Sequence, residues 1–228
     1  YIKQFQNVLK NFFNTFGKKV KTAYSNRSLI ELDVELRKQS DQLKRIFRVQ
    51  YMTIASAFKS YATGKFFVKD FDSEFNDRLE EFIDTNTGFW VTEIDDTTRK
   101  RLAKVIDSSY NDGLSTDATG TALRNTLIGM GIYRSNLIAR TETHRVASFV
   151  NETVAESMNI NGTIKEWVAI QDERTRITHS FASGQKVALD SKFVVGGQLL
   201  KYPGDPTASS DETINCRCVA IYTTPDFI

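Results

Sequence analysis

Apolar residues at Ile2, Phe5, Val8, Leu9, Phe12, Phe13 and Phe16 recur in steps of three and one. That spacing places them on one face of an α-helix and commits the start of the chain to an amphipathic helix needing a partner. The stripe resumes at Leu29, Leu32, Leu36, Leu43, Ile46, Phe47, Tyr51, Ile54, Phe58 and Tyr61. Between the two runs, Ser25-Asn26-Arg27-Ser28 offers a turn and a helix cap. The expected product is a long helical hairpin over residues 1–64, closed near Ala62-Thr63-Gly64, where glycine supplies a helix C-terminus.

The hairpin is basic. From Tyr1 to Lys69 there are 14 Lys and Arg against 4 Asp and Glu, a balance of +10 in a chain whose net charge is +2, so the remainder carries −8. Lys10, Lys18, Lys19, Lys21, Lys38, Lys44, Arg45 and Arg48 decorate it. Two readings stay open. The hairpin meets a partner, either DNA phosphates without sequence preference or a protein it packs against; or the cations only solvate long helices. The aromatics fit the core stripe, so a single-strand stacking platform is not expected.

Residues 65–134 read as a helical body. Phe71, Phe75, Leu79, Phe82 and Ile83 trace a third helix, capped by Asp70 or Asp72. Asp95-Asp96-Thr97 is expected to open a fourth through Leu102, Val105 and Ile106, stopping at Asn111-Asp112-Gly113. Ser115 or Thr116 caps a fifth through Leu123 and Leu127, ended by Gly129 and Gly131. A separate helix is then expected from about Ser135 to Met158. No run approaches the eighteen or so apolar residues of a membrane span, and no signal-peptide pattern opens the chain. Without an initiator methionine, Tyr1 reads as an internal start.

Residues 135–228 read as a small α+β unit, which makes the fold class α+β. Strands are expected at Trp167–Ile170, Lys186–Leu189, Phe193–Val195, Leu199–Tyr202 and Cys218–Tyr222, with a short helix from Asp172 to His179. Both histidines, both cysteines and two of the three prolines lie between Leu137 and Cys218. Tyr202-Pro203-Gly204-Asp205-Pro206 is a turn whose role is structural. Cysteines one residue apart cannot form an ordinary disulfide without strain, which points to a reducing folding environment.

On a strand, Cys216 and Cys218 direct their sulfurs to one face. With His179, and His144, Asp172 or a water as fourth ligand, they have the donor types of a tetrahedral zinc site. The alternative is two reduced thiols and a hydrogen-bonded histidine in the core. Arg140, Glu142, Asp172 and Arg176 read as an ion-pair network that fixes geometry. An acid–base reading instead pairs Glu142 or Asp172 with His179. No nucleophile and no carboxylate-rich magnesium site accompanies them, so the first expectation is a protein that is not an enzyme, without cofactor or with zinc alone.

Taken in order, Ala139-Arg140-Thr141-Glu142, Trp167, Asp172-Glu173-Arg174-Thr175-Arg176 with His179, Gly184-Gln185, Tyr202-Pro203-Gly204-Asp205-Pro206 and Asn215-Cys216-Arg217-Cys218 resemble the phage head-morphogenesis family of minor head proteins of the phage Mu protein F type. The resemblance covers roughly Thr116 to Tyr222. It implies a low-copy virion protein assembled in the host cytoplasm and lodged inside the head near the portal. It further implies portal protein, major capsid or scaffold protein and packaged double-stranded DNA as partners, with a part in DNA packaging or delivery. Asp172, Arg176, His179, Cys216 and Cys218 would be the family's polar core. A metal-assisted nuclease or hydrolase using Glu142, Asp172 and His179, and a host-directed effector delivered with the DNA, are the competing functions.

Overall fold

A computed structural model describes residues 1–26, 28–63 and 71–225. Four long helices, α1 (Ile2–Ser25), α2 (Leu29–Thr63), α3 (Phe71–Asn111) and α4 (Thr116–Ser157), precede five short strands and two short helices. The class is α+β, as the pattern predicts. Among the described residues no helix is long and apolar enough to cross a membrane. The chain forms two compact units, residues 1–50 with 81–139 and residues 51–80 with 140–228, so α2, α3 and α4 each supply segments to both.

The first unit is built by the apolar stripes. Phe5, Leu9, Phe13 and Val20 of α1 are fully buried, as are Leu43 and Phe47 of α2, and the Phe5 and Phe47 rings meet edge to face at 5.5 Å. Burying each such side chain contributes roughly 1.5–3 kcal/mol. Ile2, at the end of the stripe, is exposed. The α1 helix runs antiparallel to α4, since a Cβ at Gly131 would sit 2.5 Å from the Phe13 Cβ, one at Gly17 3.2 Å from the Arg124 carbonyl, and one at Gly120 3.0 Å from the Ser25 hydroxyl. Glycine at these positions lets two backbones approach. Phe16, Val20, Leu102, Leu123 and Leu127 form the adjoining core.

Two expected breaks are absent. Residues 71–111 are one helix of 41 residues, although Asp95-Asp96-Thr97 looks like a cap. The Thr97 and Thr98 hydroxyls donate to the carbonyls of Glu93 and Ile94 one turn back, and Asp95 accepts from Arg99 and Gln39. These polar groups are satisfied inside a continuous helix. Likewise α4 runs for 42 residues through Gly129 and Gly131, and the second of these serves helix contact rather than termination. The Ser28 and Ser115 caps form, accepting from the amides of Glu31 and Ala118. The expected roles of Arg27, Gly64 and Asp70 lie outside the described residues.

The second unit holds an antiparallel sheet of order β2-β1-β5 and a β3-β4 hairpin. Here β1 is Ile164–Val168, β2 Lys186–Ala188, β3 Phe193–Val195, β4 Gln198–Leu200 and β5 Val219–Thr223. Within β1, Lys165 pairs with Tyr222 and Trp167 with Ala220; these two side chains form the strand's buried face. The core gathers Trp167, Ala169, Ala182, Phe193, Val195, Leu200, Cys216 and Cys218. The helix expected from Asp172 to His179 is displaced. Asp172 accepts from the Arg174 amide in an Asx turn, so helix α5 begins only at Ile177 and ends at Ala182. Helix α6 is the single turn Ser210–Thr213. Tyr61, expected on the apolar stripe of α2, is exposed.

Candidate functional site

The chain leaves α6 through Asn215, held at φ 56° with its amide donating to the Thr141 hydroxyl 3.1 Å away. Asparagine tolerates this left-handed conformation better than most residues. The turn delivers Cys216-Arg217-Cys218 in extended backbone just before β5, not within a strand as expected. The alternation still works: both sulfurs point inward and Arg217 points out. The Cys218 Sγ lies 3.2 Å from His179 Nδ1 and the Cys216 Sγ 3.8 Å from the same nitrogen. The ligand atoms of His179, Cys216 and Cys218 all lie within 4.8 Å of one another. Both cysteines are free thiols.

His179 is fixed on its other side as well. Its Nε2 sits 2.9 Å from the Glu212 carboxylate, which also accepts from the Thr178 hydroxyl at 2.9 Å. Gly196, at φ +57°, makes room for that carboxylate, because a Cβ there would fall 2.2 Å from Glu212 Oε1. The Trp167 indole meets the imidazole edge to face at 5.6 Å. The Cys218 thiol donates to Cys216, and the His144 and His179 imidazoles beside it add to this, so the Cys216 thiol is held far below its ordinary value despite burial. That same contact, with burial and the Cys216 charge, pushes Cys218 up. One thiolate is therefore favoured across the pair.

The carboxylates expected to work with His179 are engaged elsewhere. Glu142, fully buried, accepts from the Tyr51 hydroxyl and from Arg145 Nη1 at 2.8 Å. Burial raises its pKa, and Arg145 and Tyr51 pull the other way. Arg145 in turn donates to the Gly204 carbonyl at 3.1 Å, which ties the Tyr202–Pro206 turn to α4. Asp172 is exposed and takes a two-pronged bond from Arg217 at 2.5 and 2.7 Å. That bond, first among several, depresses its pKa below the usual carboxylate range. Arg176 donates to the Ile214 carbonyl at 2.5 Å, and Arg140 is half-buried with no ion pair among the described residues. Glu142, Asp172 and Arg176 thus make separate contacts rather than one network, and Arg140 joins none of them among the described residues.

Sequence reasoning did not find Glu212, Arg217, or the fully buried pair Lys165–Glu152, whose Nζ–Oε1 distance is 2.6 Å. Lys165 also donates to the Lys201 carbonyl at 2.8 Å, and Tyr222 donates to Glu152 at 2.8 Å. Of the basic residues, Lys19 pairs with Glu35, Lys21 with Asp117, Lys38 with Glu35 and Arg48 with Asp84. Lys18, Lys44 and Arg45 are exposed and Lys10 half-buried, none of the four in an ion pair among the described residues.

The family described as "Phage Mu protein F like protein" matches residues 94–221, more than half of the chain. The chain is 36% identical over 87 residues to the NAD(+)–arginine ADP-ribosyltransferase EFV of Enterococcus faecalis, a match covering 37% of this chain and 18% of that protein. It is 34% identical over 98 residues to minor head protein GP7 of Bacillus phage SPP1, covering 41% of this chain and 30% of that one. The chain therefore aligns with less than a third of the length of either relative. No solved structure matches it significantly.

Proposed function

The chain belongs to the Phage Mu protein F like family, and from that premise we propose that it is a minor structural protein of a tailed-phage head, bound to the portal and inner capsid wall and acting in head assembly, DNA packaging or DNA delivery. The observation that carries this reading is the alignment with a minor head protein over 98 residues. The structure is compatible with a docking role. Its second unit buries a polar core of His179, Glu212, Glu142 and Arg145, each partnered, which suits a rigid module. His179, Cys216 and Cys218 are at most 5% exposed, and Glu142 and Asp172 do not hydrogen-bond to His179. That geometry gives a substrate no route to the histidine and favours a structural protein over a hydrolase.

The test is co-assembly. The tagged chain is expressed with the portal and major capsid proteins of its own phage, and particles are purified and cross-linked. Cross-links from this chain to the portal, in particles only, are the expected result. Particles of normal composition that lack the chain would overturn the proposal.

The similarity to EFV supports a second reading, in which this module travels with a host-directed effector. That reading predicts arginine-directed ADP-ribosylation in the longer protein carrying the module, and none would be expected of a purely structural head component.

A further inference from the structure

Three donor atoms, on His179, Cys216 and Cys218, already converge within 4.8 Å of one another. Tetrahedral zinc with Zn–S near 2.3 Å and Zn–N near 2.05 Å sets sulfur and nitrogen ligands about 3.6 Å apart. The observed separations from His179 Nδ1, 3.2 Å to Cys218 and 3.8 Å to Cys216, bracket that value. The thiol–imidazole hydrogen bonds of the metal-free site thus hold the three donors at the spacing a tetrahedral ion needs.

The other side of the imidazole has the arrangement a metal ligand needs. A zinc-bound histidine commonly donates its second ring N–H to a carboxylate, which fixes tautomer and orientation. Glu212 occupies that place at 2.9 Å from Nε2, is itself steadied by Thr178, and sits in the space left by Gly196. The carboxylate belongs to α6, only four residues before Cys216. One short segment therefore supplies two thiols and the group that orients the histidine.

A fourth donor stands outside the three-residue group whose ligand atoms already converge. His144 on α4 lies beside Cys216, and its Nε2 is buried with no hydrogen-bond partner among the described residues. An unsatisfied buried ring nitrogen is costly. Its ring packs against Gly204, where a Cβ would come within 3.3 Å of the His144 Cδ2. Asp172, the competing fourth ligand, is exposed and held by both prongs of Arg217.

We propose that His144, His179, Cys216 and Cys218 form a closed structural zinc site, with Glu212 orienting His179. Two thiolates and two imidazoles favour zinc over the hard cations magnesium and calcium. Burial of His179, Cys216 and Cys218 and the full complement of four protein ligands make the site structural, with no open position for a substrate. The ion ties α4, α5 and the segment before β5 together in a region whose strands have only three to five residues. This inference stands apart from the head-assembly role: a portal-binding protein without zinc, or a zinc protein that ignores the portal, would each fail only one of the two.

The experiment is metal analysis of the chain purified under reducing conditions without chelator, followed by stripping and cobalt titration. About one zinc per chain is expected, and cobalt should give a thiolate charge-transfer band with the intense visible bands of tetrahedral coordination. Cys216→Ser/Cys218→Ser should abolish both. His144→Ala should retain the charge-transfer band while the visible bands shift and weaken as water enters. Glu212→Gln should leave the cobalt spectrum unchanged and weaken affinity by about 10–100-fold. The wild-type cobalt spectrum decides the matter even where a variant fails to fold. Folded wild-type chain that takes up neither zinc nor cobalt, or cobalt bound without a thiolate band, would overturn the site. An unchanged cobalt spectrum in His144→Ala would overturn the fourth ligand.

Discussion

Gly131→Ala and Gly129→Ala should change stability in opposite directions, though the two positions are two residues apart in the same helix. Both lie inside α4, so each alanine gains about 0.8–1 kcal/mol of helix propensity. At Gly129 nothing lies within 4 Å of the new Cβ, and the gain survives whole. At Gly131 the Cβ falls 2.5 Å from the Cβ of Phe13 and 2.9 Å from its Cγ. Those atoms are the root of a fully buried side chain, so rotation cannot relieve the clash and α1 must move away from α4. Overpacking of this kind costs about 1–3 kcal/mol, and the forced backbone shift puts this site at the upper end. The net expectation is about 1–2 kcal/mol lost for Gly131→Ala and a little under 1 kcal/mol gained for Gly129→Ala. Urea unfolding followed by circular dichroism measures both; in melting temperature, each kcal/mol is about 2–4 °C for a protein of this size. Equal stabilisation by the two substitutions would show that α1 does not rest on α4 at Gly131. Equal destabilisation would show that helix α4 is broken there.

Two further outcomes follow from the charge distribution. If the first unit contacts DNA chiefly through the exposed Lys18, Lys44 and Arg45, which form no ion pair among the described residues, the affinity should scale with salt at a logarithmic slope of about −2.7 and fall about 40-fold between 50 and 200 mM. Engagement of all eight cations named on the hairpin would give about 20,000-fold, and salt-independent binding would rule out phosphate contact altogether. Lys165→Met should cost about 3–5 kcal/mol in urea unfolding, because it leaves the buried Glu152 carboxylate with the Tyr222 hydroxyl as its one hydrogen-bond donor among the described residues. The double variant Lys165→Met/Glu152→Gln should lose much less than the sum of its parts, and a cost below about 1 kcal/mol for Lys165→Met alone would mean water reaches Glu152.

The sequence by itself determined the class of structure and the neighbourhood of the site. Helical periodicity at Phe5, Leu9 and Phe13, the caps at Ser28 and Ser115, and the strand at Phe193–Val195 are written in residues at most a few positions apart, where local sterics and hydrogen bonding decide. The i, i+2 spacing likewise told correctly that Cys216 and Cys218 share a face, because extended backbone alternates whether or not it is paired in a sheet. Tertiary structure decided everything that depends on a distant neighbour. Asp95-Asp96-Thr97 and Gly131 carry the local marks of helix ends, and the distant partners Gln39 and Phe13 give Asp95 and Gly131 their places inside continuous helices. Asp172 could equally have faced Arg176 on a helix; its Asx turn sends it to Arg217 instead, 45 residues away. Glu212 has no local signature at all, standing in an ordinary Ser-Asp-Glu-Thr turn. It acquires its role because a carboxylate buried beside His179, 33 residues earlier, must find a donor there or not be buried.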